Sequence, residues 1–531
     1  MKPQAMRDGD TRLIRAAGSM SAMTALSRVA GYVRDNLQAH LLGAGLGNSA
    51  DAFVIAFRIP NLLRRLVAEG ALTSAFVPTL ARSMKKGEEE EMWRFVGSVW
   101  YALTTLLLAI VLVGVLFSPF IVRGLAWGYA GEPGKVDLTV VLNRWMWPYI
   151  FFISLSALAG GILNVFGRFA LPAFTPVLLN LSIIGCALTL RDRFPDPSFA
   201  FAVGVLLGGV LQLLVQMPTL LRLGFRLRWP RPFDAAGVNE VARLMLPRIL
   251  GAGITQINLV VDSQFATSLR AGSASFLYYA GRVTELTLGI FGISLSTVIL
   301  PSLARAAADH DRERVLQTLG TAVRLLVFIT LPATLGLIVL RAPIVHVLFE
   351  RGRFTAEDTM LTAGALACYS LGLLPYASVN VLAAAFYAHG DTRTPVKIGL
   401  ATFGLHLGLN FLLRGPLAHN GIALSTAISA YVDSILLALI LRRRLGEFLG
   451  RPVRASAARA VASGAVMTLV LLAGIRRLDI VALPSIGWKA LAMGAFIITG
   501  MAVYLGCAAA LGSDEIRWLR QMVGRRQQVA P

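Results

Sequence analysis

The sequence predicts an all-α polytopic membrane protein of about 14 transmembrane helices, built as two six-helix lobes related by pseudo-twofold symmetry plus two appended helices. Composition, recurring apolar stretches and internal echoes carry that expectation. Of the 531 residues, 56% are apolar and only 15% charged, whereas about a quarter of the residues in a soluble protein are charged. Apolar stretches of roughly 18 to 27 residues recur from end to end, each long enough to cross a hydrocarbon layer about 30 Å thick. Runs this long and continuous exclude β-barrels, and the composition excludes disulfide scaffolds, collagen and disordered polymers.

Stopping each apolar window at charged residues or Pro/Gly clusters places spans at 20–42, 52–78, 93–118, 141–165, 174–190, 199–222 and 241–268. Seven more are expected at 275–300, 319–340, 362–386, 396–413, 420–441, 459–475 and 486–511. Arg7, Arg12 and Arg15 precede the first apolar stretch as in a signal peptide, but Arg28, Arg34 and Asp35 interrupt it, so it reads as a retained span. An even span count puts both termini on one side. With that side cytoplasmic, its loops hold more than twice the Lys and Arg of the opposite loops, as the positive-inside rule requires. Arg82, Lys85 and Lys86, then Arg222, Arg226, Arg228 and Arg231, then Arg442 to Arg444 with Arg451 and Arg454 contribute most clearly.

The net charge of +21 is therefore mainly a topology signal. It also suits an anionic inner leaflet, with membrane lipids as partners, at about 1 kcal/mol per basic residue near the surface. Nucleic acid is not expected as a partner, because the basic loops are short and lack aromatic interleaving. Cys186, Cys368 and Cys507 sit singly in apolar segments, so neither a disulfide framework nor a metal site is indicated.

Two echoes point to a duplication. FVPTLAR (Phe76 to Arg82) matches ILPSLAR (Ile299 to Arg305), and Thr175-Pro176-Val177 matches Thr394-Pro395-Val396 at nearly the same offset. The expected organisation is a cytoplasmic tail at 1–19, an N-lobe at 20–222, a basic cytoplasmic linker at 223–240 and a C-lobe at 241–441. A basic cytoplasmic loop at 442–458, two further spans within 459–511 and a cytoplasmic tail at 512–531 complete it. Lobes that enter the membrane from the same side are parallel repeats, which places a substrate site between them near mid-membrane.

Charges inside the spans are the informative residues. Arg28 and Asp35 lie seven positions apart on one face of the first span, with Arg34 beside them. In the second span Asp51, Arg58 and Arg65 follow at seven-residue steps, with Arg64 beside Arg65 and Glu69 one turn beyond. Arg144 and Arg248 add to the set, as does Arg282, which has Glu285 three residues on. Exposing Arg28, Arg34, Arg64, Arg65 and Arg282 to lipid would cost on the order of 12 to 17 kcal/mol, so they are expected to face a wet interior. Pairing of Arg34 with Asp35 or Arg65 with Glu69 accounts for part of the set and leaves a cationic surplus that calls for an anionic ligand. Phosphate oxygens match the planar guanidinium fork, and the apolar surroundings favour a lipid-linked phosphate. Pro60, Gly70, Pro247, Gly251 and Gly253 are candidate bend points.

These residues resemble the MurJ/MviN family of lipid II flippases, within the multidrug/oligosaccharidyl-lipid/polysaccharide exporter superfamily. The resemblance rests on SRVAGYVRD (Ser27 to Asp35), DAFVIAFRIPNLLRRLVAEGALTSAFVP (Asp51 to Pro78) and YYAGRVTE. LFERGRFTAEDT (Leu348 to Thr359) and FYAHGDTRTPVKI (Phe386 to Ile398) extend it over about the first 430 residues. It implies a multi-pass protein of the bacterial inner membrane that moves lipid II, the undecaprenyl-pyrophosphate-linked peptidoglycan precursor, to the outer leaflet. By motif, the family's cavity arginines fall on Arg28, Arg34, Arg64 and Arg282, and its acidic positions on Asp51 and Glu69. Gly281 stands where relatives often carry Asp, leaving Glu285 as the local partner of Arg282. Cell-wall synthesis proteins are the macromolecular partners the resemblance suggests.

No enzyme activity is indicated, because the sequence lacks a catalytic grouping, and it contains no GxxxxGK[ST] motif for ATP. With no cofactor expected, a monovalent cation (Na+ or H+) or the membrane potential is left as energy source, and Asn258 with Asp262 is the candidate cation site. A flippase for another undecaprenyl-linked glycan and a cation-coupled multidrug exporter of the same superfamily remain alternatives.

Overall fold

The computed structural model describes residues 3–518 apart from 46, 67–71, 86, 228 and 310; side chains at 3–17, 19, 248, 250–252, 254, 255, 290–302, 304, 307 and 308 are likewise outside the described set. Glu69 and Gly70 therefore lie outside the described residues, as do the side chains of Arg7, Arg12, Arg15 and Arg248 and those of Lys86 and Arg228. Every regular element among the described residues is helical. Among the described residues, nine helical segments are long and apolar enough to cross a membrane.

The chain folds into two compact units, one comprising 1–274 with 352–354 and the other 275–351 with 355–531. In the first unit α1 (Pro3–Leu42) begins well before the expected start of the first span. It stops at Gly43, whose positive φ and tight fit against the Arg353 carbonyl exclude a side chain. The expected second span comes as two pieces, α2 (Ser49–Leu63), which opens into a wider π-type turn at 64–66, and α3 (Leu72–Lys85). Pro60 removes one backbone donor inside α2, one turn before the helix widens.

Next come α4 (Glu89–Leu125), with three acids in its first turn, and the pair α5 (Lys135–Met146) and α6 (Pro148–Val165), divided where Pro148 starts a new helix. The unit continues with α7 (Ala170–Leu190), α8 (Ser198–Leu214), α9 (Met217–Arg222) and α10 (Ala235–Thr267). Asp234 caps α10 by accepting the Gly237 N–H at 2.9 Å. Pro247, Gly251 and Gly253 stand inside this continuous helix. The seventh expected span thus belongs by packing to the first unit, against α3 and α4, whereas the repeat pattern groups it with the C-lobe.

Two apolar clusters form the first unit's core. One gathers Phe76, Phe95, Trp100, Ile150 and Phe225, the other Phe53, Met146, Tyr149, Phe201 and Val205. The span 135–165 runs through the middle, with 78% of its central window buried; α4, at 22%, shows Leu112, Leu116 and Phe120 outward. An outward face of this kind requires lipid.

The second unit contains α11 (Ser273–Ala308), α12 (Arg312–Val339), α13 (Arg341–Phe349), α14 (Ala356–Leu371) and α15 (Leu373–Ala388). It is completed by α16 (Arg393–Leu445), α17 (Arg451–Arg477) and α18 (Ile486–Ala510). Spans expected at 396–413 and 420–441 are joined without a loop, the direction changing at Ala418, which has φ +50 just after Pro416. Leu319, Leu326, Phe386, Leu437 and Leu441 form this unit's core.

Candidate functional site

In the first unit Arg34 and Asp35 are both buried, although they are sequence neighbours on α1. The guanidinium donates from Nε and Nη2 to Asp35 Oδ1 at 3.0 and 2.6 Å, and from Nη1 to Asn180 Oδ1 at 2.9 Å. Asn180, on α7, is oriented by its own donation to the Ser27 carbonyl at 3.1 Å. Arg34 is thus a fixed, half-neutralised cation rather than a bare one. Its charge-assisted bonds supply what burial removes in hydration, and the remaining guanidinium donors keep their geometry. Arg28, two turns earlier, is exposed.

On α2 and the turn after it Arg58, Arg64 and Arg65 are all half-buried. Arg64 donates from Nε and Nη2 to Asn61 Oδ1 at 3.1 and 3.0 Å, which orients it without cancelling its charge. Glu69, the expected partner of Arg65, lies outside the described residues.

Asp51, at the start of α2, belongs to a different constellation. Its Oδ2 accepts from Lys135 Nζ at 3.0 Å and from the Gly272 N–H at 2.8 Å; Lys135 also donates to Glu132 Oε2 at 2.9 Å. The ammonium sits 4.1 Å from the Tyr129 ring centre and is fully buried. Burial holds the Tyr129 hydroxyl well above its usual range, the Asp51 and Glu132 charges adding to the effect, so it stays neutral. Gly128 lies directly beneath the Thr267 carbonyl, where a side chain would clash, and Trp127 Nε1 donates to Gln264 O at 3.1 Å. This loop therefore clasps the end of α10.

In the second unit Arg282 donates to Glu285 Oε2 at 3.0 Å and lies 5.3 Å from the Tyr278 ring centre. Glu285 thus fills the role expected of it. The side chains of Arg282 and Glu285 are 32% and 50% exposed, so the pair is only partly desolvated.

Arg34 and Arg282 thus each meet a carboxylate, which reduces the cationic surplus expected from sequence, and Asn61 is one of the groups that orient Arg64. Of the candidate cation ligands, Asp262 is buried and Asn258 half-buried one turn away. No group of three His, Cys, Asp or Glu among the described residues is placed to hold a metal.

Two motifs have a local structural explanation. In the Leu348 to Thr359 block, Gly352 has φ +59 and packs on His40, Arg353 N–H donates to the His40 carbonyl at 3.0 Å, and Thr355 with Asp358 makes a reciprocal cap on α14. In GDTRTP, Asp391 accepts the backbone N–H groups of Arg393 and Thr394 and the Thr394 hydroxyl, while Arg444 bridges from the end of α16. The Thr394 hydroxyl and N–H, with Arg444, hold the Asp391 carboxyl below the usual carboxylate range.

Lys135, Asn180 and Asn143 were not singled out from sequence. Lys135 counts there as an outer-loop charge; the only local hint is Glu132 three residues earlier. Asn180 and Asn143 are isolated polar residues in apolar stretches, and their partners lie far away in the chain.

The pattern of the family described as lipid II flippase MurJ matches residues 38–482. The chain belongs to the MurJ family. A Vibrio cholerae protein described as a probable lipid II flippase MurJ is 38% identical, over 94% of this chain and 96% of that one. The lipid II flippase MurJ of Burkholderia cenocepacia is 36% identical, over 81% and 84%. Among solved structures, a lipid II flippase MurJ in an inward closed conformation matches with a TM-score of 0.77 and 27% identity, covering 94% of this chain and 99% of that one. An inward-facing multidrug resistance MATE transporter of the MOP superfamily shares the fold at a TM-score of 0.66 and 16% identity, covering 80% of this chain and 95% of that one. Membership of the MurJ family agrees with the expectation from the motif blocks, and the all-helical architecture suits a multi-pass membrane transporter.

Proposed function

We propose that this protein is a lipid II flippase of the bacterial cytoplasmic membrane, moving the pyrophosphate-linked precursor from the inner to the outer leaflet by alternating access. The observation that carries the proposal is the end-to-end match to relatives described as lipid II flippases, which spans 94% of this chain in the Vibrio cholerae protein. Both termini are cytoplasmic in this reading, which counts 14 spans by taking 49–85, 135–165 and 356–388 each as one crossing and dividing α16 at Ala418.

The chemistry follows from the arginines. Pyrophosphate is a dense anion with several acceptor oxygens, and Arg28, Arg34, Arg64 and Arg282 are the groups assigned to it. Arg34 is already oriented by Asp35 and Asn180, so less side-chain freedom is lost when a phosphate arrives. Asn61 serves Arg64 in the same way. The isoprenoid tail stays in lipid while the headgroup occupies the polar interior, and the two lobes rock around it. Energy comes from the membrane potential, worth about 2.3 kcal/mol per charge at 100 mV, or from a cation at Asn258 and Asp262.

Complementation tests the assignment. When the resident lipid II flippase of a bacterium is depleted, expression of the wild-type chain is expected to prevent lysis, whereas Arg34→Ala and Arg282→Ala are expected to fail at equal expression. Lysis with the wild type counts against the function; survival with both variants removes the arginine roles.

A further inference from the structure

Pro60 stands inside α2 without an N–H, so the carbonyl of Ala56, one turn earlier, lacks its regular helical donor. α2 is buried at this point, and a bare carbonyl in a dry span is costly. The donor comes from another helix: Asn143 Nδ2, on α5, donates to Ala56 O at 2.7 Å. Asn143 is itself 1% exposed, and its Oδ1 accepts from Ser118 Oγ on α4 and from Trp147 Nε1, both at 2.8 Å. The Trp147 ring reaches this position because Gly114 leaves room; a Cβ there would stand 2.2 Å from the ring. The amide is thus fixed at both ends and aimed at the one carbonyl that the proline releases. One turn beyond Pro60 the helix widens at 64–66, with Arg58 before the proline and Arg64 and Arg65 in the widened turn.

We propose that Asn143 is a positioning residue of the transport site: by answering the carbonyl that faces Pro60 it stabilises α2 around the proline and so steadies the widened turn that carries Arg64 and Arg65. The transport part of this inference rests on the flippase function proposed above. The coupling between Asn143 and Pro60 does not.

Four full-length proteins test it, namely wild type, Asn143→Ala, Pro60→Ala and the double variant, each purified and measured for thermal unfolding and for binding of lipid II. With Pro60 in place, Asn143→Ala is expected to lower the unfolding midpoint by about 2–4 °C and weaken lipid II binding about tenfold. In the Pro60→Ala background the substituted residue supplies its own N–H to the Ala56 carbonyl, and Asn143→Ala is expected to shift the midpoint by less than about 1 °C. A side chain that only filled space would be indifferent to the residue at position 60. Equal losses in both backgrounds therefore overturn the proposal, as does wild-type binding by Asn143→Ala. If Asn143→Ala alone does not fold, recovery of folded protein on adding Pro60→Ala supports the coupling and failure to recover overturns it. A wild-type chain that binds no lipid II counts against the flippase reading, and the unfolding comparison then decides on Asn143 by itself.

Discussion

The pair Lys135–Asp51 in the first unit and the pair Arg282–Glu285 in the second have the same N to O separation, 3.0 Å, yet they differ in almost everything else. The first pair is sealed, its side chains 0% and 2% exposed, and joins residues 84 positions apart; the second is a helical neighbour pair at 32% and 50% exposure. A charge that has lost all its water depends on its partner, whereas a half-hydrated one can fall back on solvent. The sealed pair is therefore built to hold elements together, and the half-exposed pair is the cheaper of the two to open. Arg34–Asp35 stands between them at 11% and 9% exposure, buried but made by adjacent residues.

Removing a partner along this series is the direct way to break the comparison. Lys135→Met leaves Asp51 and Glu132 close together without their cation. It is expected to cost about 3–5 kcal/mol of stability, read as a loss of folded protein in detergent, with partial recovery when Asp51→Asn is added. A loss below about 1 kcal/mol would mean that water reaches the pair and would void the distinction.

Arg34→Lys is expected to reduce flipping in reconstituted vesicles about tenfold or more, because an ammonium cannot keep the Asp35 and Asn180 bonds together. Full activity would show that charge alone matters there. Glu285→Gln is expected to change stability by less than about 1 kcal/mol, and its lipid II affinity should rise or stay level, since the arginine loses a competitor for its donors. A clear fall in affinity would show that the carboxylate orients Arg282 rather than competing with phosphate.

The smallest effect is expected at Asp391, where Arg444 and Thr394 hold an exposed carboxyl in its charged form. Its folded value lies below the unfolded one near 3.9, so its contribution is present above that pH and lost as the pH falls through the folded value. Asp391→Asn should flatten the acid limb by removing that contribution from the neutral region, leaving stability below the folded value little changed. An unaltered acid limb would show that Arg444 and Thr394 do not favour the charged form.

How much could be read in advance follows the same division. The apolar runs located α4, α7, α8, α17 and α18 closely, because a span's length is set by the membrane and needs no knowledge of neighbours. Arg282–Glu285 was legible because i,i+3 residues meet on any helix, and Arg34–Asp35 because opposite charges side by side inside an apolar span have reason to pair. The division near Ala418 was legible too, between the spans expected at 396–413 and 420–441, whereas its positive φ was not, since such a backbone angle is set by how the two helices pack. The place of α10 in the first unit also escaped, for repetition in sequence reports ancestry while compactness reports contact.

By itself the sequence determined that this chain is a helical membrane protein and that several arginines inside its apolar stretches are costly to expose to lipid. Each follows from transfer free energies counted residue by residue. Only the tertiary structure decided which charges are sealed and which stay available, that Lys135 answers Asp51, that Asn180 holds Arg34, and that Asn143 answers the carbonyl released by Pro60. Those outcomes depend on a partner dozens of residues away reaching hydrogen-bonding distance in a dry interior, and no local pattern encodes that distance.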